Sequence, residues 1–527
     1  MNDRRKAVTV LTLNTLAFTV CFAVWMMNGV LITFLVENGV FTWSKSQIGW
    51  LIGIPVLTGS LVRLPVGVLT DKYGGRIVYT GVLLVSAFAT YLASYANSYN
   101  EFLLAGLGFG LSGTAFAVGI AYTSVWFRKE HQGTALGIFG IGNAGAAFTS
   151  MAAPSILKYL TQNGANLEGW RNLPRLYAAA LAVTAVVFYF LTYDRTVSNG
   201  AGRSLSERLA PLKIVRVWRF GLYYFFVFGG YVALSQWMIP YYVSAYQMSI
   251  ATAGLLAATF SLPSGVIRAL GGWMSDRWGA RSIMYWVLGV SLVCCVLLFA
   301  PRMDIMTPGA GVNAHVGGTV VSATPDLIEL NTKAGLLKFP VRAQVLDGNE
   351  AVSEEMMVLP AVRSWQEPVV SAGDVIVRKQ LLARGVTHIF FQANVWIFTI
   401  IVFVLGIAMG IGKAAVYKYI PDYFPNDVGV VGGIVGVIGG LGGFVCPIIF
   451  GYMLESTGLW TTCWMFFAAL VAVSLAWMHL VIRRLMAAHA PQAIRHIEDG
   501  HAHVHFPERS LRRQESPAPA SIEAISS

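Results

Sequence analysis

Long apolar runs without a single charge, separated by short polar breaks, set the pattern of this chain; Phe102 to Phe127 and Trp396 to Gly412 are two of them. A run of about 20 apolar residues spans a bilayer as a helix, because only a helix satisfies its own backbone inside lipid. A membrane barrel would alternate apolar and polar residues over short segments, and these stretches do not. Reading breaks as boundaries gives twelve predicted spans at 8–36, 45–69, 77–96, 101–127, 132–158, 175–193, 217–245, 250–275, 282–301, 392–422, 428–453 and 459–482. The fold class expected is therefore an all-α polytopic membrane protein.

Between spans nine and ten the period changes. Stretches such as GGTVVSA, LLKFPVRAQVL and GDVIVRK alternate apolar and polar positions and are joined by Gly-Asp and Asp-Gly pairs, the pattern of a small β-rich domain. The helical part repeats itself. RLPVGVLTDKYGGR (Arg63 to Arg76) aligns without a gap on RALGGWMSDRWGAR (Arg268 to Arg281) at an offset of 205 residues. Trp126-Phe127 before Gly133 corresponds to Tyr423-Phe424 before Gly429 at an offset near 297, so about 92 residues enter between the two matches. The organisation predicted is a six-helix half (1–193), a linker (194–216), helices seven to nine (217–301), an extracytoplasmic β-rich insert (302–391), helices ten to twelve (392–484) and a disordered cytoplasmic tail (485–527).

Composition agrees with this reading: 56% of the 527 residues are hydrophobic, 12% are charged, and mean hydropathy is +0.61. The net charge of +11 does not call for nucleic acid, because the cations sit between the apolar runs. Lys72, Arg76, Arg128, Lys129, Arg277 and Arg281 fall on one side, joined by the cations of the linker. The positive-inside rule makes that side, and both termini, cytoplasmic, here in an inner membrane. The N-terminal apolar stretch is too long for a signal peptide and reads as the first retained helix. All five cysteines lie in apolar runs and none forms a metal-binding pair. The alternating histidines of HAHVH (His501 to His505) have metal-binding spacing, but a disordered tail explains them. No metal, cofactor, nucleophile–base pair or nucleotide loop is read from the chain, which excludes an enzyme.

The repeated loop carries the first chemistry. Gly67, Asp71 and Arg76, matched by Gly272, Asp276 and Arg281, have the makings of a gate on the cytoplasmic side. The glycines allow close helix approach, and each Asp caps a helix or pairs with a base in one conformational state. Arg63 and Arg268 stand eight residues before their loop Asp, so about 12 Å up a helix and near the bilayer midplane. A charge there is costly unless it faces a wet cavity or a partner. Glu37, Asp71, Asp276, Asp422 and Glu455 all sit near span ends, which leaves the two arginines without a carboxylate. A bound anion relieves their mutual repulsion, and guanidinium presents a planar fork of donors to an oxyanion. Glycine-rich stretches recur in corresponding spans: Gly137, Gly140, Gly142 and Gly145 in span five, and Gly436, Gly439, Gly440, Gly442 and Gly443 in span eleven. They permit close packing and sliding. Asn143 among them is an amide in hydrocarbon that needs a partner. Lys413 lies nine residues before Asp422, deep in span ten, and is read as a further positive element of an anion path.

The paired loops resemble the signature of the major facilitator superfamily. Arg63, Arg268 and the glycine runs around Gly140 to Asn143 and Gly439 to Gly443 are similar to those of its nitrate/nitrite porter family. The resemblance covers both halves but neither the insert nor the tail. It implies two pseudo-twofold six-helix halves, two arginines clamping a planar anion, Asn143 as the assisting amide, and Tyr224, Phe228 and Phe116 as the closing rings. It further implies a nitrate or nitrite carrier working by alternating access in the lipid bilayer, as a monomer, by nitrate/proton symport or nitrate/nitrite antiport. A carrier of another small anion such as formate or oxalate, and a transporter-like sensor using the insert, are the competing readings.

Overall fold

The computed structural model describes residues 3–195, 210–300, 303–343, 361–424 and 428–489. Among them eleven helices are long and apolar enough to cross a membrane, and a twelfth is a pair bent by 46°. In chain order they are α1 (Asp3–Glu37), α2 (Lys45–Tyr73), α3 (Gly75–Ala93), α4 (Tyr99–Ser124), α5 (Thr134–Leu160), α6 (Leu167–Leu191), α7 (Val215–Tyr246), the bent α8 (Ile250–Val266 and Arg268–Trp278) and α9 (Ala280–Leu297). Then follow α10 (Val395–Tyr423), α11 (Val428–Thr457) and α12 (Thr462–His489). The helices coincide with the predicted spans to within about five residues, except that α6 starts earlier, at the 3-10 turn Leu167–Arg171, and α12 ends later, at His489 rather than 482. The chain divides into two units, Met1–Ser474 and Leu475–Ser527. The second continues α12 as helix to His489; the expected tail, with His501 to His505, lies outside the described residues, as does most of the linker.

Polar residues at the helix starts set several boundaries. Ser44 with Gln47 and Ser98 with Glu101 form reciprocal capping boxes at α2 and α4. The Asn394 side chain accepts from the Trp396 and Ile397 amides and starts α10. On the face carrying the repeated loops, Gly74 (φ +85°) and Gly279 (φ +81°) turn α2 into α3 and α8 into α9 in a backbone region that favours glycine.

Among the described residues seven strands lie between α9 and α10, at the opposite face: β1 (Met303–Asn313), β2 (Gly318–Ala323), β3 (Leu327–Thr332), β4 (Gly335–Pro340), β5 (Ala361–Pro368), β6 (Val375–Ile376) and β7 (Leu381–Phe391). They form two antiparallel sheets, β1-β7-β5 and β4-β3-β2-β6, over a small core of Ile328, Leu330, Phe339, Ile376 and Leu382.

Within Met1–Ser474 the glycines record the internal symmetry. A Cβ on Gly142 would strike the Phe18 ring and one on Gly145 the Thr19 carbonyl; at the matching positions Gly439 faces the Tyr224 ring and Gly442 the Phe225 carbonyl, 2.6 Å away. The two faces of the helical body differ. On the strand face, Gly49 meets the Pro447 carbonyl, Gly53 stands 2.6 Å (from a built Cβ) from the Phe444 carbonyl, and Gly254 abuts the Ser150 carbonyl, so α2 with α11 and α8 with α5 are in backbone contact. Toward the loop face, nothing lies within 4 Å of a Cβ on Gly67, Gly272 or Gly137. The expectation that Gly67 and Gly272 allow close helix approach therefore fails in this conformation: both follow the arginines toward the loops, where the helices part. The halves meet on the strand face and separate on the loop face.

Gly53→Val forces a side chain into the α2–α11 contact and is expected to destabilise the folded protein by about 1–3 kcal/mol, read as a lower midpoint of thermal unfolding. Gly67→Ala, in open space, should leave that midpoint unchanged or slightly raised.

Candidate functional site

The irregular turns of the helices gather at one level. α2 breaks at Val62, immediately before Arg63, and α8 breaks at Ile267, immediately before Arg268. Pro65 accounts for the first break, since it cannot donate to the Leu61 carbonyl. At the second, the Lys413 ammonium donates to the Ser264 carbonyl at 3.0 Å, a side-chain intrusion of the kind that bends helices. α4 tightens to 3-10 geometry at Gly110–Thr114, α5 does so at Ile141–Ala144, and α7 widens to a π turn at Phe225–Gly230. Such interruptions recur at functional sites, and here each bears on the residues around the arginines.

Arg63 is 5% exposed. Its Nε donates to the Gly113 carbonyl at 3.3 Å and its Nη1 to the Gly436 carbonyl at 3.2 Å, so it bridges α4 of one half and α11 of the other. Rings surround the group: Trp25, Phe116 and Phe228 have centroids 5.6, 5.3 and 5.4 Å from its Cζ. Arg268 shares the Phe116 ring at 5.5 Å and has Tyr417 at 5.4 Å. Tyr224 stacks on Phe228 with centroids 5.0 Å apart and stands edge-on to Tyr417. Among the described residues no carboxylate forms an ion pair with either arginine. Among the described residues Arg63 Nη2 and Arg268 Nη1 are buried donors with no hydrogen-bond acceptor, while the Tyr224 hydroxyl faces Arg268 and Tyr417. Each such orphan costs about 1–3 kcal/mol, more when charged. What the described surroundings of the two guanidiniums lack is an acceptor carrying negative charge.

Asn143 is fully buried, and its amide nitrogen donates to the Gly140 carbonyl at 2.7 Å, leaving that nitrogen's second hydrogen. Its backbone carbonyl accepts from the Tyr231 hydroxyl at 3.2 Å. Lys413 is fully buried as well, 3.2 Å above the Tyr231 ring centroid and in electrostatic contact with Arg268. The structure thus brings together Arg63, Arg268, Phe116, Tyr224 and Phe228, and places Asn143 and Lys413 alongside through Tyr231. The glycine runs line the same region. A Cβ added at Gly140 would lie 3.5 Å from the Arg268 side chain and one at Gly440 3.5 Å from Arg63 Nη1, and Gly443 packs on Val232 and Val56.

Several contributors were not foreseen. Tyr417 lies one helical turn beyond Lys413, a spacing that could have suggested it. Trp25 and Tyr231 carry no signal beyond being aromatic, and the accepting carbonyls of Gly113 and Gly436 are invisible to side-chain reasoning. In the loops, Arg76 pairs with Asp194 at 3.2 Å and Asp276 with Lys418 at 2.7 Å, each within its own half. Asp71 also has a partner, and Arg281 stands near Tyr419.

Helices in two matched sets, parted on one face around a charged interior, define a membrane transporter and not an enzyme. The sequence profile of the Major Facilitator Superfamily matches residues 13–330 and 381–517. The probable nitrate/nitrite antiporter NarK1 of Thermus thermophilus is 39% identical over 93% of this chain and 94% of its own length. The nitrite extrusion protein of Bacillus subtilis is 25% identical over 90% and 93%. Among solved structures, a bacterial homologue of the human lysosomal transporter Spinster aligns with a TM-score of 0.59 at 15% identity, covering 91% of this chain and 97% of that one; the nucleoside transporter NupG gives 0.56 at 12%, covering 89% and 99%. Those two likenesses concern the fold. The chain belongs to the Major Facilitator Superfamily and, within it, to the nitrate/nitrite porter family.

Lys413→Met removes one buried positive charge at similar length. The variant is expected to fold and to bind nitrate about tenfold more weakly, roughly 1.4 kcal/mol, measured by titration of the purified protein at fixed ionic strength.

Proposed function

We propose that this chain carries nitrate and nitrite across the inner membrane by alternating access, with the anion held between Arg63 and Arg268. The observation that supports it most is the pair of orphaned guanidinium donors, Arg63 Nη2 and Arg268 Nη1, with no carboxylate pairing either arginine among the described residues. A planar oxyanion supplies the acceptors, Phe116 and Phe228 flank its plane, and Asn143 offers an amide hydrogen. The names of the Thermus and Bacillus relatives agree with this cargo. Two arginines would also suit formate or oxalate; the crowding of rings around Arg63 favours a small planar guest.

With cations concentrated around the repeated loops, that face and both termini are cytoplasmic in this reading, and the strands form an extracytoplasmic β-rich insert. The conformation described is then open to the cytoplasm, with α2–α11 and α5–α8 closed outside. Nitrate neutralises the arginines and lowers the cost of bringing the loop-side halves together; an empty site resists that closure. Obligatory exchange, nitrate in and nitrite out, follows directly. The second reading, nitrate/proton symport, rests on Lys413, the titratable amine beside Arg268; net uptake needs such coupling because the membrane potential opposes anion entry by about 2.3 kcal/mol per charge per 100 mV. The carrier works as a monomer in the bilayer, and the insert is a structural cap rather than a sensor.

Arg63→Lys and Arg268→Lys keep the charge and lose the fork. Each is expected to cut nitrate counterflow in proteoliposomes at least tenfold with no loss of folded protein, and wild-type rates would overturn the clamp. Counterflow by the wild type should proceed without a pH gradient under exchange; a strict requirement for the gradient would select symport. Deleting residues 305–388 should leave uptake within about twofold of wild type, whereas loss of uptake by a folded deletion protein would refute the cap.

A further inference from the structure

The pseudo-twofold is broken at the loop end of the two halves, and the break leaves cations without an ion pair among the described residues. In the first half, Arg76 donates to Asp194 and to the Tyr189 carbonyl, while Tyr122 donates its hydroxyl to the Tyr193 carbonyl. The corresponding residues of the second half are Arg281 and Tyr419, at the offsets of 205 and 297 found in the sequence. Nothing replaces Asp194 there, since the sequence has no acid between Glu455 and Glu498. A second arginine is present instead. Arg219 of α7 is 7% exposed, lies 5.5 Å from the Phe220 ring, and shares Tyr419 electrostatically with Arg281. Among the described residues neither Arg219 nor Arg281 has an ion pair, and Asp276 pairs with Lys418, which Asp422 also faces. Beside Arg219 the Tyr223 hydroxyl is buried with no acceptor among the described residues. Phe220 stacks on Tyr419 at 5.1 Å between centroids, and the Tyr423 ring lies tilted 5.7 Å from Phe220.

A guanidinium on a residue only 7% exposed, next to an orphaned hydroxyl one helical turn on, is stabilised when negative charge reaches it. We propose that Arg219 and Arg281, with the Tyr223 hydroxyl, form a second oxyanion site between α7, α9 and α10, separate from the Arg63–Arg268 cavity. Its ligand is a small oxyanion, either free in solution or the phosphate of a phospholipid headgroup. Guanidinium suits both, because it binds oxyanions through paired N–H donors.

The test uses the full chain purified in detergent, with Arg63→Lys as background so that the central cavity does not contribute. Thermal unfolding is titrated with sodium phosphate and with sodium nitrate against sodium gluconate at constant ionic strength, and native mass spectrometry reads co-purified phospholipid. Saturable stabilisation by either anion, with its midpoint raised about tenfold by Arg219→Gln, supports a free oxyanion. One bound anionic phospholipid lost in Arg219→Gln supports the headgroup. No anion response together with an unchanged lipid complement overturns the site. Arg281→Gln, at an exposed position, gives the same readings should Arg219→Gln fail to fold. Counterflow by Arg63→Lys reports on the central clamp alone, so the two proposals fail separately.

Discussion

Arg63 and Arg268 stand inside the helical body with ring faces around both, carbonyl oxygens on Arg63, and no carboxylate among the described residues to neutralise either. A buried cation of this kind is held by whatever weaker acceptors can be brought near, and the fold is shaped to bring them. α2 breaks so that Arg63 reaches the Gly113 and Gly436 carbonyls, one from each half. Phe116 lies between the two guanidinium groups and offers its ring to both. These contacts hold the side chains in place but leave some of their donors unused. That remainder is what the proposed cargo would satisfy, and it ties the chemistry of the cavity to the closing of the halves.

The symmetry that builds the site is incomplete in a useful way. Phe116 corresponds to Lys413 at the offset of 297, and Trp25 and Tyr231 stand 206 residues apart in α1 and α7. Where the first half places an aromatic ring against its arginine, the second places an ammonium over a tyrosine and bends α8 with it. The cavity is therefore more positive on one side, and its hinge in α8 is bonded directly to a charge. Under the proposed function, charge and bending in that half are coupled, whereas the first half supplies mainly surface and an amide. The same loss of symmetry recurs at the loop end, where Asp194 has no counterpart.

Much of this was legible in the residues because the bilayer restricts the choices. Long apolar runs gave the helices, and the period-two stretch between spans nine and ten marked the segment that the described strands occupy. Two arginines in register, without acids at their depth, singled out the pair that the structure places on opposite sides of the Phe116 ring. What escaped has a common physical origin. The breaks at Val62 and Ile267, the π turn of α7 and the accepting carbonyls are backbone events, set by tertiary contacts that composition does not encode. Trp25 and Tyr417 are aromatic residues among many, and only packing distinguishes them. Gly67 and Gly272 were expected to be contacts and are open, because a glycine permits close approach without requiring it, and the conformation decides.

The most direct measurement is dipolar recoupling by solid-state NMR between bound 15N-nitrate and 13Cζ-labelled arginine in the reconstituted protein. The account predicts that nitrate dephases two arginine signals, those of Arg63 and Arg268, at a separation of a few ångströms. Bound nitrate that leaves both signals untouched would contradict it.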